Sequence, residues 1–207
     1  MTDWQVVQRR VSLAGIVTDA ATLAPLAGAT VKILSMPRSL QSRIGLVRLQ
    51  FGKTWDALKE RADRTQTRND GLFLFLDLPE GEYTLEASLT ALGTRYGSAT
   101  AKCVVSPDAQ RNTKLQQVTM ALPSTVVTGK ILVRGQKTAI SLADVRVKGS
   151  GERTFSDEQG LYTLRAIEPG QRIIQVSAQG FKGTSQTVTI KAAGDSQSVN
   201  FSLDRGS

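Results

Sequence analysis

The chain has 207 residues, 26 basic against 18 acidic, and a formal charge of +8, with one cysteine and no histidine. The length is comfortable for two domains of roughly 80 to 115 residues, each able to bury a core without staples. The missing imidazole excludes His-based triads, His general bases and His zinc ligands. The lone Cys103 excludes an internal disulfide and a cysteine-rich metal site.

The first residues, "MTDWQVVQRR", do not read as a signal peptide, since no apolar core follows the late basic pair. No apolar run approaches the roughly 18 residues that span a bilayer. Both points make a cytoplasmic protein, or part of a particle assembled in the cytoplasm, the expectation. Residues 1–10 form an N-terminal arm.

From Val11 the chain reads as strands. "VSLAGIVTD" and "ATVKI" alternate apolar and polar positions with β-branched residues, which marks half-buried strands. Next comes an irregular stretch, 35–66. It holds "RIGLVRLQF" (43–51), apolar and basic, and "TWDALKERA" (54–62). The latter reads as a short helix with Thr54 as N-cap and Trp55, Leu58 and Ala62 on one face. Eight basic residues (Arg38, Arg43, Arg48, Lys53, Lys59, Arg61, Arg64, Arg68) stand here against Asp56, Glu60 and Asp63, so much of the net charge is local. Asn69-Asp70-Gly71 is turn chemistry, Leu72–Phe75 a strand, Leu78-Pro79-Glu80-Gly81 a corner, and Tyr83–Ala87 the next strand. Runs at Gly97–Val105 and Leu115–Leu122 close the series, with Cys103 on the inward parity of its strand.

The pattern then repeats. Gly129, Val145–Lys148, Glu158-Gln159-Gly160, Leu161–Leu164, Pro169-Gly170, Arg172–Val176 and the runs at 183–191 and 198–203 follow the same order. The offset between copies falls from 116 residues (Val31 to Val147) to 89 (Gly71 to Gly160), which places an insertion in the first copy. The expected fold is all-β: two tandem seven-stranded β-sandwiches, the first carrying an insertion with a short helix. The domains are 1–10, an arm; 11–123, a sandwich with insertion 35–66; and 124–207, a second sandwich.

No phosphate loop or dinucleotide fingerprint is present, and the acids at Asp70, Asp157 and Glu158 are explained by turns. No catalytic residue, cofactor or metal is assigned. An enzyme is not expected.

"GIVTDAATLAPLAGATVKI" followed by "TRNDGLFLFLDLPEGEYTLEASL" resembles the carboxypeptidase regulatory-like domain, an Ig-like, transthyretin-like sandwich. The second copy resembles it at Gly129, Leu142-Ala143, Val147, Asp157, Gly160, Tyr162, Pro169-Gly170 and Val176. It departs at Ser141, Asp144 and Arg172, the last standing where an aromatic is usual. The resemblance implies a folding and interaction module without an active site. The "MTDWQVVQRR" start and "VRVKGSGERTFSDEQG" are similar to accessory proteins of phage-tail-like contractile injection particles.

The functional expectation is a non-enzymatic structural or adaptor protein in a larger assembly, a cap, collar or baseplate-associated component of such a particle. The alternative is a carbohydrate- or anionic-surface-binding module. Expected partners are other protein subunits of a large assembly; neither nucleic acid nor a small-molecule ligand is expected. The interface candidates are Trp4, Arg9, Arg10, Arg48, Phe51 and Trp55, because aromatic and Arg anchors dominate interface energetics. Deleting residues 38–62 is expected to leave both sandwiches folded and to abolish partner binding.

Overall fold

The computed structural model describes residues 9–58, 61–107, 115–191 and 193–206. The chain divides into two compact units, Met1–Ala91 with Ser98–Leu122, and Leu92–Gly97 with Pro123–Ser207. The short segment Leu92–Gly97 therefore belongs to the second unit, a placement its sequence does not announce.

The first unit runs β1 (Val11–Asp19), β2 (Thr30–Ser35), α1 (Arg38–Phe51), β3 (Arg64–Gln66), β4 (Leu72–Leu76), β5 (Gly81–Ser88), β6 (Ala99–Val105) and β7 (Gln116–Leu122). Its seven strands form two sheets, β4-β1-β7 and β3-β2-β5-β6. β1 runs parallel to β7 and antiparallel to β4. The alternation read from sequence fills the core: Leu13, Val17, Phe73, Phe75 and Met120 from one sheet, and Val31, Tyr83, Leu85 and Ala87 from the other, are all buried.

The second unit repeats this with β8 (Val126–Val133), β9 (Asp144–Val147), β10 (Arg153–Phe155), β11 (Leu161–Arg165), β12 (Gly170–Ser177), β13 (Thr184–Ile190), β14 (Ser196–Ser198) and β15 (Phe201–Leu203). Its sheets are β11-β8-β14, with β15 also on β8, and β10-β9-β12-β13. β14 and β15 are two halves of one strand, both parallel to β8. They are parted where the Asn200 side chain accepts the Lys130 N–H at 2.8 Å. Each unit is thus a seven-stranded sandwich.

The shared signature has physical causes. Gly15 pairs with Phe73 across β1 and β4, and Gly129 pairs with Tyr162 across β8 and β11. A Cβ on Gly15 would stand 2.5 Å from the Phe73 ring and 2.2 Å from the Val118 carbonyl; on Gly129, 2.8 Å from Tyr162 and 1.8 Å from the Val199 carbonyl. The glycine is the floor on which the next strand's aromatic ring lies.

A buried hydroxyl also recurs. Thr67 Oγ1 donates to Leu26 O (2.6 Å) and accepts from Ala29 N (2.8 Å); Ser156 Oγ donates to Ile140 O (2.7 Å) and accepts from Ala143 N (2.9 Å). Arg172 is explained by the same comparison. Tyr83 closes its corner by donating to Pro79 O at 2.6 Å. Arg172, 89 residues on, donates to the matching carbonyl of Glu168 at 2.8 Å and to Pro169 O at 2.9 Å.

Three sequence expectations are corrected. The helix of the insertion is α1, Arg38–Phe51, and not Thr54–Ala62; the chain at Gly52–Ala57 makes a 3-10 turn and Leu58 is already extended. Leu40, Ile44, Val47 and Phe51 supply the helical spacing of α1, and Pro37 precedes its first turn. Thr54 is no N-cap, since its hydroxyl donates backwards to Phe51 O at 2.7 Å. The second correction concerns Arg64–Gln66, which lies outside the insertion because it is strand β3, paired with β2. The third is the 116-residue offset, which would set Leu142 against Leu26 and Val147 against Val31; the ladder instead matches Val31 with Val145. Leu142 N donates to Ser156 O as Gly28 N donates to Thr67 O, so Leu142 stands in the place of Gly28, and Ile140 takes the buried place of Leu26.

Candidate partner interface

α1 presents two unlike faces. Leu40 is fully buried, Ile44 and Val47 are half-buried, and together they seat the helix on its own unit. Leu46 and Leu49, three residues apart on another face, are 70% and 82% exposed. Arg38, Arg43 and Arg48 flank them, and the helix holds no acid. Among the described residues, its ion pair is Arg48 with Asp56 at 3.9 Å, both largely exposed, so solvent screens it and little charge is neutralised.

The 3-10 turn behind α1 is pinned from within. Trp55 is buried, and the Arg61 guanidinium stacks 4.9 Å over its ring while donating to Trp55 O at 3.2 Å. Arg61 is itself almost enclosed and pairs with Asp63 at 2.8 Å. Arg64 donates to Asp56 O and Leu58 O, capping the end of the turn.

Of the sequence candidates, Trp4 lies outside the described residues. Arg9 is well exposed, with Nε 3.9 Å from Asp77 Oδ2. The Arg10 N–H donates to Asp77 Oδ1 at 2.9 Å. Arg43, not among the candidates, donates to Asp77 O at 3.3 Å, so three arginines meet at the corner after β4. Arg48 is exposed on α1, and Phe51 is 45% exposed with its ring 6.2 Å from Trp55. Trp55 is a correction: at 5% exposure its ring is committed to the chain's own core and offers neither a partner anchor nor a sugar platform. Leu46 and Leu49 were missed. Their sequence signal was two leucines falling off the face set by Leu40, Ile44, Val47 and Phe51.

Among the described residues, no three or more of His, Cys, Asp and Glu gather in a way that could hold a metal. Cys103 is half-buried on β6 opposite Tyr83, and burial pushes its thiol pKa up, away from the reactive thiolate. Burial likewise holds the Tyr83 hydroxyl at a pKa of about 12. The second unit holds a charge cluster around Arg95. Arg95 pairs with Glu168 at 3.2 Å and with Glu152, while Glu168 Oε1 accepts the Thr94 N–H and hydroxyl at 3.1 and 3.0 Å. Hydrogen bonding from Thr94, aided by Arg95, lowers the Glu168 pKa. No described helix is long and apolar enough to cross a membrane.

Residues 127–207 match the family model of the CarboxypepD_reg-like domain. No curated protein matches the chain. Among solved structures, the shaft pilin SpaA of Lactobacillus rhamnosus GG is similar at 11% identity and TM-score 0.42, covering 94% of this chain and 96% of its own. The Bacillus anthracis TIE protein is similar at 11% identity and TM-score 0.39 over 94% of this chain, which spans only 34% of that protein. A type II cohesin-X-dockerin complex of Acetivibrio cellulolyticus is similar at 12% identity and TM-score 0.30, over 38% of this chain and 53% of that one. These likenesses concern the fold alone.

Proposed function

We propose that this chain is a non-enzymatic structural or adaptor protein, and that the outward face of α1 is its contact with another protein subunit. The observation that carries this reading is the pair Leu46 and Leu49, held in water by a helix whose other side is anchored through Leu40. An apolar centre with an arginine rim is the composition of a protein interface, where desolvated apolar anchors supply the energy and charges steer the approach. The second unit carries no helix between β9 and β10, only Lys148–Glu152, so the feature is an addition to the shared sandwich.

The finer reading is an accessory component of a contractile tail-like particle assembled in the cytoplasm. It rests on the resemblance of the N-terminal stretch and the β9–β10 passage. The arginine-rich helix also suits an anionic surface, and the salt dependence of heparin retention separates the two: charge alone releases at moderate salt.

Deleting residues 38–62 is not the right test, because it strips Leu40 and Trp55 from the core. The double substitution Leu46→Glu, Leu49→Glu leaves both in place. The expected result is a folded chain, with an unchanged melting curve, that no longer co-sediments with the native particle. Undiminished co-sedimentation would remove α1 as the contact.

A further inference from the structure

We propose that strand β4 pairs antiparallel with β4 of a second copy of this chain, joining two first-unit sheets about a twofold axis at Leu74. The inference stands on different residues from the α1 reading and does not depend on it.

β4 ends its sheet, with β1 as its only ladder partner among the described residues. Alternate residues of an antiparallel strand aim their backbone groups to opposite sides. Gly71 accepts from Val17 N and Asp77 donates to Arg10 O, so that parity faces β1 and Leu72, Leu74 and Leu76 face the open edge. Leu72 is engaged locally, its N–H by Asp70 Oδ1 and its carbonyl by Arg68 N. Leu74 is then the centre of the free edge.

The outer face of this edge is apolar. Leu72 and Leu74 are 45% and 40% exposed, beside Ile16 and Ala14 of β1. The second unit supplies an internal control. In the same register β11 and β8 set Leu161 against Lys130, Thr163 against Thr128 and Arg165 against Val126. Its edge is guarded by charge, as free edges ordinarily are. β6, the long edge of the other sheet in the first unit, carries Lys102, and β3 is only three residues long. β7, at the other end of the same sheet, is free of charge but carries Gln116, Gln117 and Thr119, whereas β4 is apolar throughout, Leu-Phe-Leu-Phe-Leu.

A second copy is the occupant because the run is a palindrome. A twofold axis at Leu74 sets Leu74 against Leu74 and Leu72 against Leu76 of the second copy, leucines on the outer face and phenylalanines inward. It also brings the Arg68–Asp70 end of one copy, which holds one base and one acid, to the Asp77–Glu80 end of the other, which holds two acids, so that Arg68 meets acidic charge. Such an isologous pairing closes on itself rather than growing into a fibre.

The test uses the full chain. Sedimentation equilibrium across the micromolar range should show a concentration-dependent dimer. L74K should be monomeric and melt like the parent diluted to where it too is monomeric, and T163K, the matching position of the second unit, should dimerise like the parent. In a Cys103→Ser background, L74C should cross-link to itself on mild oxidation, since directly opposed residues lie about 5.5 Å apart at Cα, within disulfide reach. L72C should not, because its copies would be roughly 13 Å apart along the strand. A monomeric parent, a dimeric L74K, or equal cross-linking by L74C and L72C would each overturn the pairing.

Discussion

Leu142→Gly should stabilise the second unit although it deletes an aliphatic side chain. Leu142 sits at φ 53°, the left-handed region, where a non-glycine residue pays roughly 1–2 kcal/mol. Its side chain is 77% exposed, so truncation forfeits little apolar burial. Against the relief stands the larger entropy of glycine in the unfolded chain, about 0.5–1 kcal/mol. The net expectation is a gain of about 0.5–1 kcal/mol, a few degrees in melting temperature for a domain of this size. The first unit tests the same reasoning in reverse. Gly28 occupies the equivalent place at φ 71° with open space around it, so Gly28→Ala meets no steric clash. It should cost about 1 kcal/mol through backbone strain alone. Urea unfolding of both variants beside the parent reads both signs. A destabilised L142G or a neutral G28A would show that the two positions are not equivalent and that strain is not what distinguishes them.

Other substitutions probe the insertion, the strand floor and the charge cluster. Arg61→Met should cost about 3 kcal/mol, since it leaves the largely enclosed Asp63 carboxylate unpaired and removes the cation over Trp55; chemical denaturation of the first unit reads this. Gly129→Ala should be more damaging than Gly15→Ala or comparable with it, each losing several kcal/mol, because the added methyl meets a backbone carbonyl in both units. Glu168 has a lowered folded-state pKa, so its stabilising contribution is complete above the unfolded carboxylate pKa, near 4.5, and is lost as pH falls through the folded value. Glu168→Gln should therefore flatten the acid limb of a stability-against-pH curve measured below pH 4.5 and lower the plateau above it.

The sandwich was legible because its signature residues act locally. Gly71 and Gly160 turn the chain, Gly15 and Gly129 lie under the facing rings, and Pro and Gly cut one strand from the next. Such residues name their role by type and spacing. Thr67 and Ser156 name nothing, because a hydroxyl between strands looks like any loop residue until Leu26 O and Ile140 O are seen beside it. β3 and β10, three residues each, are too short to show alternation.

The insertion misled for a different reason. "TWDALKERA" carries helix-forming residues and an apparent cap, yet burial of Trp55 beneath Arg61 holds Gly52–Ala57 as a 3-10 turn. α1 carries Ile, Gly and Val, weaker helix formers, and the outward Leu46 and Leu49 blur its periodicity. The residues that obscured the helix are those now assigned to the interface. Trp55 shows the converse: an aromatic side chain outside the repeat pattern advertises contact, but sequence alone does not say with which surface.

Hydrogen–deuterium exchange of the chain bound to a partner subunit with which it co-purifies, against the isolated chain, tests the central claim most directly. Amides and flanking peptides of Arg38–Phe51 should gain protection on binding, with the β-sheet cores of both units unchanged. An α1 that exchanges alike in both states, with new protection elsewhere, would mean that the exposed leucines face water in the assembly too and that the contact lies on another surface.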